Sequence, residues 1–237
     1  MPLHILDYER IKQFWNKRAL QAGKIDPRAL TLFCNDQEVL DFREKSEKAL
    51  FDQHVSFTGT EKVLEVGAGE GSWTLHFVER CQQLVVSDIA EKMLKINEER
   101  IKKAGYTNVR FCIADLRKLA LLEKDFDITI CFGVSIYLND DDLVGCYKRI
   151  RKHLKNQGLL FCRDHLTSGE RIENIDVYAD TFEGSYSCIY RPKIELDAVI
   201  SKAGFKNLWQ VPIYPPDEAS SPAKEGKQSW FSGWQAI

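Results

Sequence analysis

The chain has few of the features that mark a membrane or nucleic-acid protein. No apolar run in its 237 residues approaches the roughly 20 needed to cross a bilayer, so a membrane helix is not expected. Neither sign of charge dominates: 33 Lys and Arg stand against 35 Asp and Glu, a net charge of −2. Without a basic excess there is no field to hold nucleic acid or an anionic lipid surface. The seven cysteines are odd in number and no two lie closer than 15 residues, which suggests neither a disulfide framework nor a zinc site. The opening MPLHILDYER has no basic segment ahead of an apolar one, so a secretory leader is not expected. Reduced core cysteines in a cytoplasmic protein are the expectation, and neither repeats nor low-complexity tracts interrupt the pattern.

The rest is an ordinary globular balance, 44% apolar and 29% charged. From residue 62, short apolar strands alternate with longer amphipathic helices. The expected strands are 62–66, 83–87, 109–113, 126–131 and 158–163, with helices at 72–80, 90–104, 116–122 and 140–154. Three aspartates open the last of these helices and basic residues close it, which suits the helix dipole. A helix at 192–203, stopped by Gly204, precedes strands at 207–213 and 228–236. The intervening YPPDEASSPAKEGK is expected to be exposed and mobile. Residues 1–58 read as a helical cap, with helices at 8–21 and 37–54, residues 59–165 as the core, and 164–191 as a lid inserted after the fifth strand. Residues 192–237 complete a single domain. Strand–helix repetition at this spacing predicts a parallel sheet covered on both faces.

The first strand ends in Glu65-Val66 and runs into Gly67-Ala68-Gly69-Glu70-Gly71. Glycines at a strand-to-helix turn admit positive φ and let a ligand reach the main chain. Asp88, at the end of the second strand, suits the hydroxyls of an adenosine ribose. A nicotinamide or flavin dinucleotide would want Gly-x-Gly-x-x-Gly, but the third glycine falls one residue early and Ser72 takes its place. An adenosine without a pyrophosphate fits better.

VLEVGAGEG, Asp88, ADL at 114–116 and FGVSIYL at 132–138 together resemble the ordered motifs of class I S-adenosylmethionine methyltransferases. The resemblance implies a Rossmann-like α/β fold with a seven-stranded, mostly parallel sheet in the order 3-2-1-4-5-7-6, the last strand antiparallel. It also implies S-adenosylmethionine as cofactor, S-adenosylhomocysteine as product, and no metal. By the resemblance, Glu65 and the backbone of Gly67, Ala68, Gly69 and Gly71 hold the methionine part. Asp88 takes the ribose, Ile89 and Met93 flank the adenine, and Ala114, Asp115 and Leu116 meet its amino edge. Phe132 and Gly133 lie beneath the methionine portion. An N-terminal aromatic–x–x–Arg-Ala pattern, Trp15 to Arg18, closes over the site and brings Arg18 to the cofactor carboxylate.

The fourth strand does not end in the Asn/Asp-Pro-Pro-Tyr/Phe of base and glutamine amino-group methylases, and no Pro-Cys pair supplies the thiol of base-carbon methylases. A small-molecule acceptor is therefore expected, with methylation at nitrogen or oxygen, secondary metabolites included. CRDH at 162–165 ends the fifth strand on the side where ligands bind in such sheets. There His165 is the candidate general base, Asp164 the group orienting an amine, and Arg163 a substrate contact. The alternative is that Arg163 and Asp164 form a surface ion pair and His165 caps the loop. Tyr137 and the lid tyrosines Tyr178, Tyr186 and Tyr190, with Phe182, would wall the acceptor or pack the lid onto the sheet. Two other readings stay open: methylation of a protein amino terminus, which would want an acidic channel hinted at by Asp164, Asp176 and Asp180, and a silent S-adenosylmethionine-binding regulator or partner subunit. The assembly is expected to be a monomer or homodimer.

Overall fold

The computed structural model describes residues 5–32, 34–179, 184–214 and 226–237. The elements in chain order are α1 (Tyr8–Arg18), α2 (Ala29–Leu32), α3 (Gln37–His54), β1 (Lys62–Val66), α4 (Ser72–Val78), β2 (Gln83–Asp88), α5 (Glu91–Lys103) and β3 (Val109–Ile113). They continue with β4 (Phe126–Phe132), α6 (Asp140–His153), β5 (Leu154–Thr167), β6 (Ile172–Ala179), β7 (Gly184–Tyr190), α7 (Lys193–Lys202), β8 (Phe205–Pro212) and β9 (Lys227–Ala236). Seven strands form one sheet in the order β3-β2-β1-β4-β5-β9-β8, which is the expected order once the β6–β7 hairpin is left uncounted. β1 to β5 run parallel, and β9 is antiparallel to both neighbours.

Helix starts follow local chemistry. Asp7 accepts from the Glu9 and Arg10 amides at 3.0 and 3.1 Å, and Asp36 accepts from Glu38 and Val39 at 2.9 and 3.2 Å, satisfying donors that a first turn leaves open. Both sheet faces are covered. On one, α6 and α7 pack Tyr147, Ile150 and Leu196 against Cys162, Phe205 and Trp234. On the other, Phe51 of α3 is fully buried among Phe77, Phe132, Phe161 and Phe231. Burial of one such ring contributes about 1.5–3 kcal/mol. α3 is thus a core helix, and only the segment before it behaves as a cap. All seven cysteines are free thiols, and no helix among the described residues is long and apolar enough to cross a membrane.

Three expectations are corrected. β5 continues past Arg163 to Thr167 because β9 pairs with it from Leu159↔Gln235 to Thr167↔Lys227. Residues 164–167 therefore belong to the sheet, and the insertion proper begins beyond them as a two-stranded hairpin, β6–β7. The helix expected at 116–122 shrinks to one 3-10 turn, Leu116–Lys118; Leu116 and Leu119 reach the core while Leu122 is 97% exposed, so a longer helix would gain no burial. α2, in the stretch between the two expected N-terminal helices, had no sequence counterpart. Phe182, Asp180 and positions 215–225 of the Pro- and Ser-rich loop lie outside the described residues.

Candidate functional site

The turn after β1 is bound to the next strand. The amides of Gly67 and Ala68 donate to the Ser87 carbonyl at 2.8 and 3.1 Å. Gly67, Gly69 and Gly71 have φ of +69°, +56° and +94°, which only glycine adopts without strain. Protein neighbours enforce two of them further: a Cβ on Gly67 would overlap Val134, and one on Gly71 would overlap the Asn97 amide. Asp88, at the tip of β2, accepts from the Gly69 amide at 2.8 Å and the Ala90 amide at 2.7 Å, one bond to each oxygen. A carboxylate has about four acceptor sites, so further donors can still be accepted.

Above this turn lies a cavity of about 420 Å³. Its floor at one end is Glu65, Gly67, Ala68, Gly69 and Asp88, with Ile89, Met93, Ala114, Asp115 and Leu116 alongside. Phe132 and Gly133 continue the floor, and Arg163, His165 and Ser229 line it where β5 and β9 rise beyond the sheet. Trp15, Tyr137, Tyr186 and Tyr190 also line it. Trp15 meets Tyr137 edge-on at 5.7 Å, the Tyr137 and Tyr186 hydroxyls are 2.8 Å apart, and Phe14 of α1 packs on Tyr186 at 5.5 Å. α1 and the hairpin are therefore joined through one aromatic cluster.

Electrostatics differ along the cavity. The Glu65 carboxyl is raised to about 8 by burial, and by the nearby Glu70 and Asp88 charges, against one hydrogen bond from Thr74 at 2.7 Å. Burial also raises Glu70 and Asp88. This end is short of positive charge. At the far end the signs reverse: burial, and then the Arg163 and Arg43 charges, hold His165 well below the usual imidazole range. Its Nδ1 lies 2.7 Å from Ser229 Oγ. Burial raises the Tyr137 and Tyr186 phenols, which stay protonated.

Four sequence candidates fall off the cavity. Arg18 is buried under α1, donating to the Ala29 and Leu30 carbonyls at 2.9 and 3.3 Å, so it ties α1 to α2. Gly71 caps α4 behind the turn. Asp164 is buried on the opposite sheet face, hydrogen-bonded by Ser135 and raised to about 6 by burial. The cause is strand alternation: Arg163 and His165 face α3, so Asp164 cannot. The same alternation rules out an Arg163–Asp164 ion pair. Tyr178 is 64% exposed on the hairpin. Asp115 is at the cavity, but its carboxylate caps the 3-10 turn and pairs with Arg117.

Several cavity residues were not singled out from sequence: Tyr8 and Ile11 on α1, Arg28 and Thr31 near α2, and Arg43, Glu44, Glu47 and Lys48 on α3. The helical spacing of 43–44 and 47–48 was a visible signal, since i and i+4 share a face. Among the described residues no cluster of His, Cys, Asp or Glu is arranged to hold a metal ion.

Comparison with known proteins narrows the class. Residues 63–158, β1 to the start of the paired part of β5, match the family model of a methyltransferase domain. That match covers less than half of the chain, and over it the chain is similar to a methyltransferase domain. The chain is 33% identical over 111 residues to phosphoethanolamine N-methyltransferase 1 of Triticum aestivum, covering 46% of this chain and 22% of that one. It is 34% identical over 96 residues to a ubiquinone/menaquinone biosynthesis C-methyltransferase of Azotobacter vinelandii, 38% of each chain. The chain thus spans well under half the length of these relatives. Phosphoethanolamine N-methyltransferase 1 of Haemonchus contortus, solved with phosphoethanolamine and S-adenosylhomocysteine, superposes with a TM-score of 0.71 at 21% identity, over 97% of this chain and 49% of that one. At that identity the likeness concerns the fold. The cavity opens at the carboxyl ends of β1, β2, β4 and β5, where open α/β sheets bind ligands.

Proposed function

We propose that the protein transfers a methyl group from S-adenosylmethionine to a nitrogen or oxygen of a small molecule. One observation carries the reading: a single cavity joins the glycine turn and Asp88 at one end to His165 at the other. The donor set at the first end suits the cofactor. Asp88 retains acceptor capacity for ribose hydroxyls, Ile89 and Met93 offer an apolar slot for adenine, and Glu65 would pair with an α-ammonium, which would favour its ionised form. Arg18 is turned away from this end, and Arg28, which lines the cavity, is already paired with Asp26, Asp41 and Glu44 at 2.7, 2.7 and 2.8 Å.

When bound, the cofactor supplies a sulfonium-activated methyl group, and the protein's work is alignment and exclusion of water. Trp15, Tyr137, Tyr186 and Tyr190 wall the acceptor. In the tautomer where Nδ1–H of His165 donates to Ser229, Nε2 presents a lone pair to the cavity. Neutral at physiological pH, it can remove a proton from a hydroxyl or an ammonium. The amino-terminus reading loses its support. Asp164 is off the cavity, Asp176 is paired with Arg10 at 2.5 Å, and the far wall carries arginines.

The test is calorimetric binding of S-adenosylmethionine and S-adenosylhomocysteine, followed by mass-spectrometric screening of metabolites for a gain of one methyl group. Cofactor binding and at least one methylated small molecule are expected. Binding without turnover on any acceptor would favour a silent regulator, and failure to bind either compound would end the reading.

A further inference from the structure

We propose that the methyl acceptor carries an oxyanion, a carboxylate or a phosphate, gripped by Arg163 with help from Arg43. This rests on reading the region beyond Phe132 as the acceptor's place. Arg163 is 7% exposed and lines the cavity, yet its Nε has no hydrogen-bond partner. A buried guanidinium N–H left unpaired is costly, and a ligand oxygen is the natural complement.

The charge balance points the same way. Arg163 donates to Glu47 Oε1 at 2.9 Å, and Arg43 Nε stands 3.7 Å from that oxygen. The Tyr214 hydroxyl bonds it too. Two guanidiniums thus share one carboxylate that is itself 3% exposed. Other carboxylates do not make up the difference. Glu44 is committed to Arg28 and Lys48 at 2.8 and 2.5 Å, and Asp164 lies through the sheet at Ser135. Neutral His165 adds no negative charge. The trio keeps one uncompensated positive charge in a largely buried wall, and a planar guanidinium fork matches the paired oxygens of a carboxylate or phosphate. The cofactor's methionine end belongs at the other end of the cavity, by the turn after β1. Arg163 sits two strands further along the sheet, beside Phe132.

The experiment titrates the full chain, saturated with S-adenosylhomocysteine, with acetate, benzoate, inorganic phosphate and phenyl phosphate as separate calorimetric probes. Saturable binding is expected from the carboxylate pair or from the phosphate pair, and the pair that binds identifies the oxyanion. Arg163→Gln should weaken that probe roughly 10- to 100-fold, the worth of one charge-assisted hydrogen bond, with S-adenosylhomocysteine affinity unchanged. Glu47→Gln should tighten it, because it removes the internal competitor; a merely structural role would not produce this opposite sign. Arg163→Lys, which keeps the charge and loses the fork, should fall between. Silence of every probe on wild type and Glu47→Gln, in protein that binds S-adenosylhomocysteine normally, overturns this inference alone. So does equal binding in Arg163→Gln. Competition between probe and S-adenosylhomocysteine would overturn it together with the placement of the acceptor.

Discussion

Replacing Glu65 with Gln should make the protein more stable at alkaline pH and weaker for its cofactor. Glu65 is 3% exposed, accepts one hydrogen bond from Thr74, and has Glu70 and Asp88 for neighbours. Burial and those charges lift its carboxyl from the ordinary 4.5 to about 8. A folded-state value above the unfolded one means that the native protein holds this proton while the unfolded chain releases it. Stability from this group is complete below pH 4.5 and is lost as pH rises toward 8. The loss runs at up to about 1.4 kcal/mol per pH unit, on the order of 5 kcal/mol across the interval. Gln is neutral throughout and keeps an oxygen for Thr74. Denaturant unfolding from pH 5 to 8.5 should therefore show Glu65→Gln gaining on wild type as pH rises. An α-ammonium beside Glu65 would favour ionisation, so S-adenosylhomocysteine binding to wild type near pH 7 should release protons. Calorimetry in buffers of different ionisation enthalpy reads that release, and the variant should lose it. Parallel pH–stability curves would show that Glu65 is already ionised at neutral pH and would refute the reasoning.

Asp88→Ala should weaken S-adenosylmethionine by about 2–4 kcal/mol, taking two charge-assisted hydrogen bonds and incomplete loss, and calorimetry checks it. His165→Ala and His165→Asn should both lower turnover roughly 10²–10⁴-fold with S-adenosylhomocysteine affinity retained; full activity in the Asn variant would make His165 an orienting group only. Because burial holds His165 below 6.5, it contributes no acid limb to the rate between pH 7.5 and 6.5, and a fall centred above 6.5 that vanishes in His165→Asn would contradict its neutral state. Gly67→Ala should cost at least about 1–3 kcal/mol from its left-handed backbone, with the Val134 overlap adding to it, as measured by chemical unfolding. Amide exchange should slow in α1 and the β6–β7 hairpin when S-adenosylhomocysteine and an acceptor bind, and unchanged exchange in both would remove them as the moving cover.

The cofactor end of the cavity was legible in the sequence because its signals are local. A glycine at positive φ, a carboxylate at a strand tip and an aromatic after the fourth strand announce themselves within a few residues. The acceptor end was not, because it depends on pairing between distant segments. Reading 162–165 as the end of a strand placed Asp164 and His165 together in the site. The partner that extends β5 begins at Lys227, and pairing with it fixed the faces, sending Asp164 to Ser135 and keeping His165 at the cavity. Arg18 matched a family pattern, but the carbonyls that hold it belong to α2, for which the sequence showed no periodicity. Glu47 has no local sequence signal either, because its role depends on Arg163 and Tyr214 converging on it from distant segments.

The unbroken run of β5 past the sheet's edge puts the far end of the cavity under a rule of parity. Arg163 and His165 face the ligand space while Asp164, between them, faces Ser135 and the packed side. Losing or gaining one residue between Leu159 and Thr167 would exchange the two sets, driving an arginine and a histidine into the core and an acid into the cavity. A change of two would restore the faces and move the ligand groups along the strand by one pleat. Length variation here is thus quantised in pairs, while the turn after Thr167, free of the β9 ladder, has no such arithmetic to obey.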